Sequence, residues 1–167
     1  EWADCGRVGA GRTAGVGPLL VHDGALYAVT WTYDWTRALD GGYDPGRLYR
    51  YVGGTRWEDC GEPGGNLTNN CAASFRGRIF VGGGPVHFGV FARDEDGRWT
   101  PSVRFEREGP RRCFPHAMTR YHGRLYVGFP GIHAFDGTDW TFVGLPAGGP
   151  HEMLQTHSLH VHQGRLC

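Results

Sequence analysis

One phrase returns through this chain at a regular interval, and it limits the fold more than any other feature. An apolar-x-Gly-x-apolar-aromatic-apolar pattern occurs as VHDGALYAV at 21–29, FRGRIFVGG at 75–83 and YHGRLYVGF at 121–129, and begins again as VHQGRLC at 161–167. A second phrase sets a tryptophan after a turn, at Trp2, Trp57, Trp99 and Trp140, spaced by 55, 42 and 41 residues. Between the two lies a third segment with aromatic alternation: RLYRYVGG at 47–54, FGVFARDEDG at 88–97 and GIHAFDG at 131–137. The longer first interval is accounted for by an insertion, WTYDWTRALDGGYDPG at 31–46.

Each unit reads as four strands in a meander: an inner strand, an x-Gly hairpin, a second strand, an aromatic third and a Trp-bearing fourth. A four-stranded unit with apolar residues on both faces cannot cover either alone, so units of this length stack around an axis as β-propeller blades. The predicted fold is all-β, with about three complete blades and partial blades at both ends. The units fall at about 7–61, 62–104, 105–144 and a truncated 145–167, with residues 1–6 as the outer strand of a preceding blade. Such an arrangement implies a segment of a longer propeller, or a chain that completes its ring by self-association. The 29 glycines and 13% aromatic content suit short strands and tight turns. No apolar stretch holds a helical period for more than about two turns, and no run of about 18 apolar residues could cross a membrane as a helix.

The segments GRLYVG, LYRYVGGTRWEDCG and FDGTDWTFVG resemble the repeats of bacterial kelch-like and sialidase-like β-propellers, and the resemblance covers almost the whole chain. RDEDGRWT at 93–100 keeps Asp96, Gly97 and Trp99 of the sialidase Asp box without its serine. The resemblance implies blades, and functions that range over lectin-like modules, scaffolds, hydrolases and lyases.

Inner strands line the centre of a propeller, and the loops entering them form one face. Seven residues before the hairpin glycines Gly24, Gly77, Gly123 and Gly164 stand Gly17, Asn70, His116 and His157. Equivalent positions share a height, so Asn70, His116 and His157 are predicted to converge as a polar ligand site. His116 and His157 could also hold a divalent metal, the one cofactor this pattern offers. The insertion brings Trp31, Tyr33, Trp35 and Tyr43 beside several carboxylates and Arg37, a mixture suited to stacking on sugar rings. His22, His122 and His162 flank the hairpin glycines, where a structural turn role is the simpler account. No nucleophile elbow and no phosphate-binding loop appears.

Lys plus Arg and Asp plus Glu each total 17, so no net charge points to nucleic acid or an anionic membrane surface. Five cysteines include Cys60 and Cys71, which bracket a Gly/Asn-rich turn and are predicted to form a disulfide if they end neighbouring strands. A bridge would place the protein in an extracellular or periplasmic setting. Asn66-Leu67-Thr68 matches the glycosylation sequon. The leading expectation is a non-enzymatic binding or interaction module with a glycan or protein ligand. The alternative is a propeller lyase or glycoside hydrolase using the histidines.

Overall fold

The computed structural model describes residues 2–9, 13–32, 44–105, 114–129, 131–145 and 156–167. Fourteen strands and no helix occur among them. The first sheet comprises β1 (Gly15–His22), β2 (Ala25–Trp31), β3 (Leu48–Gly53) and β4 (Arg56–Asp59). The second comprises β5 (Thr68–Phe75), β6 (Arg78–Gly84), β7 (Gly89–Arg93) and β8 (Trp99–Arg104). The third comprises β9 (Ala117–Tyr121), β10 (Arg124–Gly128), β11 (Ile132–Phe135) and β12 (Trp140–Gly144). Each is an antiparallel meander in chain order, and a two-stranded hairpin, β13 (Val161–His162) and β14 (Arg165–Leu166), follows. The sheets are separate ladders, and the described residues do not close into a ring.

The repeated hairpin has a local cause. Its two turn residues are Asp23-Gly24, Arg76-Gly77, His122-Gly123 and Gln163-Gly164, and all eight have positive φ, near 45° then near 73°. That pair of dihedrals is the two-residue turn whose twist matches antiparallel strands, and glycine makes the second position free of strain. His122 is thus a turn residue, as its sequence position implies.

Alternation then builds two apolar layers. Ile79 and Val81 of β6 face the first sheet, where they meet Leu20, Tyr27, Val29 and Leu48. Phe80, between them in sequence, points the other way and packs with Phe75 and Val90 against Leu125, Val127 and Phe135 of the third sheet. The second sheet is therefore buried on both faces, and Ile79 through Gly84 is a continuous buried run. The inner strands lie side by side, β1 by β5, β5 by β9 and β9 by β13.

At the outer edge the tryptophans tie one unit to the one before. The Trp99 indole N–H donates to the Cys60 carbonyl at 3.0 Å, and Trp140 donates to the Ser102 hydroxyl at 3.0 Å. Trp57 donates to the Cys5 carbonyl at 2.9 Å. Residues 2–6 were expected as an outer strand, but no ladder assigns them to a sheet. Their local shape still repeats the end of β4: Gly6 N–H donates to Asp4 at 2.8 Å, as Gly61 N–H does to Asp59 at 2.8 Å.

Candidate ligand site at the inner-strand ends

The count back from the hairpin glycines lands on a repeated irregularity. In β5 the pairing passes from Asn69↔Gly83 to Cys71↔Gly82, leaving Asn70 as an extra, bulged residue. In β1 the register slips between Val16 and Leu19, across Gly17. At the start of β9, Ala117 pairs with Gly128 and the preceding His116 N–H also reaches the Gly128 carbonyl at 3.1 Å. A bulge swings its residue out of the strand's alternation and re-aims the side chain. Asn70, bulged before Cys71, and His116, just before Ala117, thus each stand one residue ahead of a regular pair of their inner strands, Cys71↔Gly82 and Ala117↔Gly128.

The structure brings His116 and His157 together, with ring centroids 4.7 Å apart at 43°. Phe114 stacks on His116 at 4.8 Å and 29°. His157 is exposed, while Asn70 is half-buried on the neighbouring inner strand. Burial is the main cause that lowers the His116 pKa from its ordinary value, and the neighbouring His157 lowers it further. Both effects favour the neutral form of the His116 imidazole. Asn70 Nδ2 and His116 Nε2 are both covered and have no hydrogen-bond partner, and the same holds for Thr156 Oγ1 beside His157. Unsatisfied buried donors and acceptors carry a desolvation cost, which a ligand or ordered water would remove.

Close approach at this end depends on glycine. A Cβ on Gly82 would stand 2.7 Å from Pro115, and one on Gly128 would stand 2.5 Å from the Thr156 Cβ. The third and fourth units thus seat their first residues on a glycine of the unit before, where the first unit has Val29 at the equivalent position.

Sequence reasoning missed a buried polar seam between the first two sheets. Asn66 and Asn69 are fully buried. Asn66 accepts the His87 N–H at 2.7 Å through its side chain and the Gly46 N–H at 2.8 Å through its carbonyl. Asn69 Nδ2 donates to the Thr30 carbonyl at 3.4 Å, and the Thr32 N–H donates to the Leu67 carbonyl at 2.9 Å. The signal was the asparagine-rich NLTNN, which reads as turn chemistry until two loops are found hanging on it. Burial also removes Asn66 from reach as a glycosylation acceptor in the folded chain.

Trp31, the last residue of β2, belongs to the same end. Its indole lies over Gly15 and Gly17 at the start of β1, where a Cβ on Gly15 would stand 2.7 Å from the ring. The other insertion aromatics, Tyr33, Trp35 and Tyr43, lie outside the described residues. The chain leaves the first sheet at Trp31 and returns by Gly46, where a Cβ would stand 2.6 Å from Asn69 Nδ2.

The predicted Cys60–Cys71 bridge is not formed, and both are buried free thiols. Cys60 follows the outermost strand of the first sheet, whereas Cys71 is on the innermost strand of the second, so they do not end neighbouring strands. The Cys60 thiol donates to the Glu58 carbonyl and sits in the first apolar layer. Full burial pushes the Cys71 thiol up to about 12, with its S–H toward the Gly82 carbonyl. For metal binding, no group of three or more His, Cys, Asp or Glu gathers among the described residues. The site offers instead an amide donor, a neutral imidazole and aromatic faces.

No family model and no curated protein matches this chain. Among solved structures it is similar to the extracellular domain of a protein assigned as a hybrid two-component system of B. thetaiotaomicron, with 14% identity and a TM-score of 0.61. The match covers 90% of this chain and 19% of that one, so the likeness is one of fold over a small part of a much larger molecule. No helix among the described residues is long and apolar enough to cross a membrane.

Proposed function

We propose that this chain is a non-enzymatic binding module made of β-propeller blades, which takes a neutral, hydroxyl-bearing ligand such as a glycan at its inner-strand ends. The observation that carries this reading is the pair of covered, unpartnered atoms Asn70 Nδ2 and His116 Nε2 at repeat-equivalent positions of their inner strands. An amide donor and a neutral imidazole suit hydroxyl groups, and Phe114 and Trp31 offer faces for a sugar ring. Side-by-side inner strands and face-to-face sheets support the propeller reading. A location outside the cytoplasm is in keeping with the extracellular domain it resembles in fold.

Calorimetric titration with a panel of neutral mono- and oligosaccharides tests the proposal, with zinc and manganese as separate arms. A saccharide should bind, and Asn70→Ala and His116→Ala should each weaken it roughly tenfold while the unfolding midpoint holds. Binding that survives both substitutions rejects the site. Metal uptake that depends on His116 and His157 would instead favour the lyase or hydrolase reading.

A further inference from the structure

Phe142 stands where the repeat does not call for an aromatic residue. It comes two residues after Trp140, and the same position after Trp57 and Trp99 holds Asp59 and Pro101. All three pair across the ladder with the third strand of their sheet, at Tyr49, Phe91 and His133. Tyr49 and Phe91 are buried, whereas the third sheet has His133 half-buried and Phe142 59% exposed. That exposure is not on an uncovered side of the sheet. Phe142 shares a cross-strand row with His133 and Val127, and Val127 packs against the second sheet.

The exposed ring is held in place by its neighbours. His133 meets it edge to face at 5.3 Å, and Phe105, which follows β8 of the second sheet, lies 4.9 Å from His133 and stacks on Phe129 at 4.2 Å and 13°. Phe142 also rests on Gly131, where a φ of 81° and the close approach both call for glycine: a Cβ there would stand 2.5 Å from the ring. Two other aromatic rings at this end are seated in the same way, Trp31 on Gly15 and Phe114 on Gly84, where Cβ atoms would stand 2.7 and 2.8 Å away. Gly15 begins β1, Gly84 pairs with the first residue of β5, and Gly131 follows Gly128, which pairs with the first residue of β9. All three platforms therefore lie where the inner strands begin. A ring fixed on glycine and open to solvent can stack on the apolar face of a sugar.

We infer that the ligand is an oligosaccharide, and that Phe142 is an outlying stacking subsite for rings beyond the one held at Asn70 and His116. The first ring is the one the proposed saccharide site takes, so this subsite depends on that reading. The two places share one end of the third sheet. Phe129 directly follows Gly128, whose carbonyl accepts the His116 N–H at 3.1 Å. From His116, just ahead of β9, to Phe142 on β12 the path crosses three strand spacings. That is roughly 14 Å, more than a single sugar ring covers.

Calorimetric titration with cello-, malto- and xylo-oligosaccharides, from the monosaccharide to the hexasaccharide, tests this. Affinity should rise with chain length by at least roughly tenfold. Phe142→Ala should remove most of that rise, while the shortest saccharide that binds does so as it does to the wild type. Phe142→Trp keeps a ring at the position and should retain the rise. Asn70→Ala should weaken every length alike. The Phe142 side chain is exposed, and the unfolding midpoint checks that the variants stay folded. Equal affinity at every length, or a rise that survives Phe142→Ala, overturns the subsite and leaves the Asn70–His116 site standing. A Phe142→Ala loss that is the same at every length does so too. Failure of every saccharide to bind overturns both.

Discussion

The second sheet and the first are written in the same phrase, yet their apolar side chains have different surroundings. Phe80 of β6 is 1% exposed, flanked by Phe75 at 6.2 Å and Phe135 at 5.6 Å between ring centroids. Leu19 and Val21 of β1 are mostly in solvent. Strand sequence alone does not decide burial here; a neighbouring sheet does. A unit with two apolar faces gains its hydrophobic stabilisation only where something stacks on each. Among the described residues, the middle sheet packs against a sheet on each face and the first sheet against one.

The sharpest way to break this comparison is to truncate one side chain in each sheet. Phe80→Ala should cost about 3–5 kcal/mol in urea denaturation, because a buried aromatic leaves a cavity that two sheets border. Leu19→Ala, measured where the chain is monomeric, should stay within about 0.5 kcal/mol. Equal losses at the two positions would mean the first sheet is covered.

The tryptophans allow a smaller version of the same test. Trp99→Phe keeps an aromatic ring but strips the bond to Cys60, for an expected loss of about 1–2 kcal/mol. Trp2→Phe should not alter monomer stability, since its side chain is fully exposed.

The smallest expected effect is a pH slope. The His116 pKa lies below its unfolded value of 6.5, so the unfolded chain takes up a proton first as pH falls. The stability that neutral His116 contributes is fully present above pH 6.5 and is lost as pH falls from there through the folded pKa. His116→Gln should flatten that part of the stability profile. An unchanged slope would assign it to other groups.

Much of this architecture was legible in the chain. Repeat phrases located four-stranded units whose fourth strands end at Asp59, Arg104 and Gly144. Counting from hairpin glycines reached Asn70 and His116 because the turn is the same in every unit and fixes the register beyond it. The bulge was not legible, since an extra residue leaves the same letters with a different pairing. Cys60 and Cys71 misled for a related reason: eleven residues of separation is short in sequence, but here it spans the step from an outermost to an innermost strand. Asn66 and Asn69 were hidden because asparagine clusters belong equally to turns and to buried seams. Only the partners, Thr30, Gly46 and His87, tell the two apart.

Hydrogen exchange tests most directly the claim that neighbouring sheets confer burial and order. At a concentration that keeps the chain monomeric, amides of β6 and β7 should exchange slowest, and those of β1 and the β13–β14 hairpin much faster. If β1 is as protected as β6 in the dilute monomer, its bare face does not weaken it, and the account is contradicted.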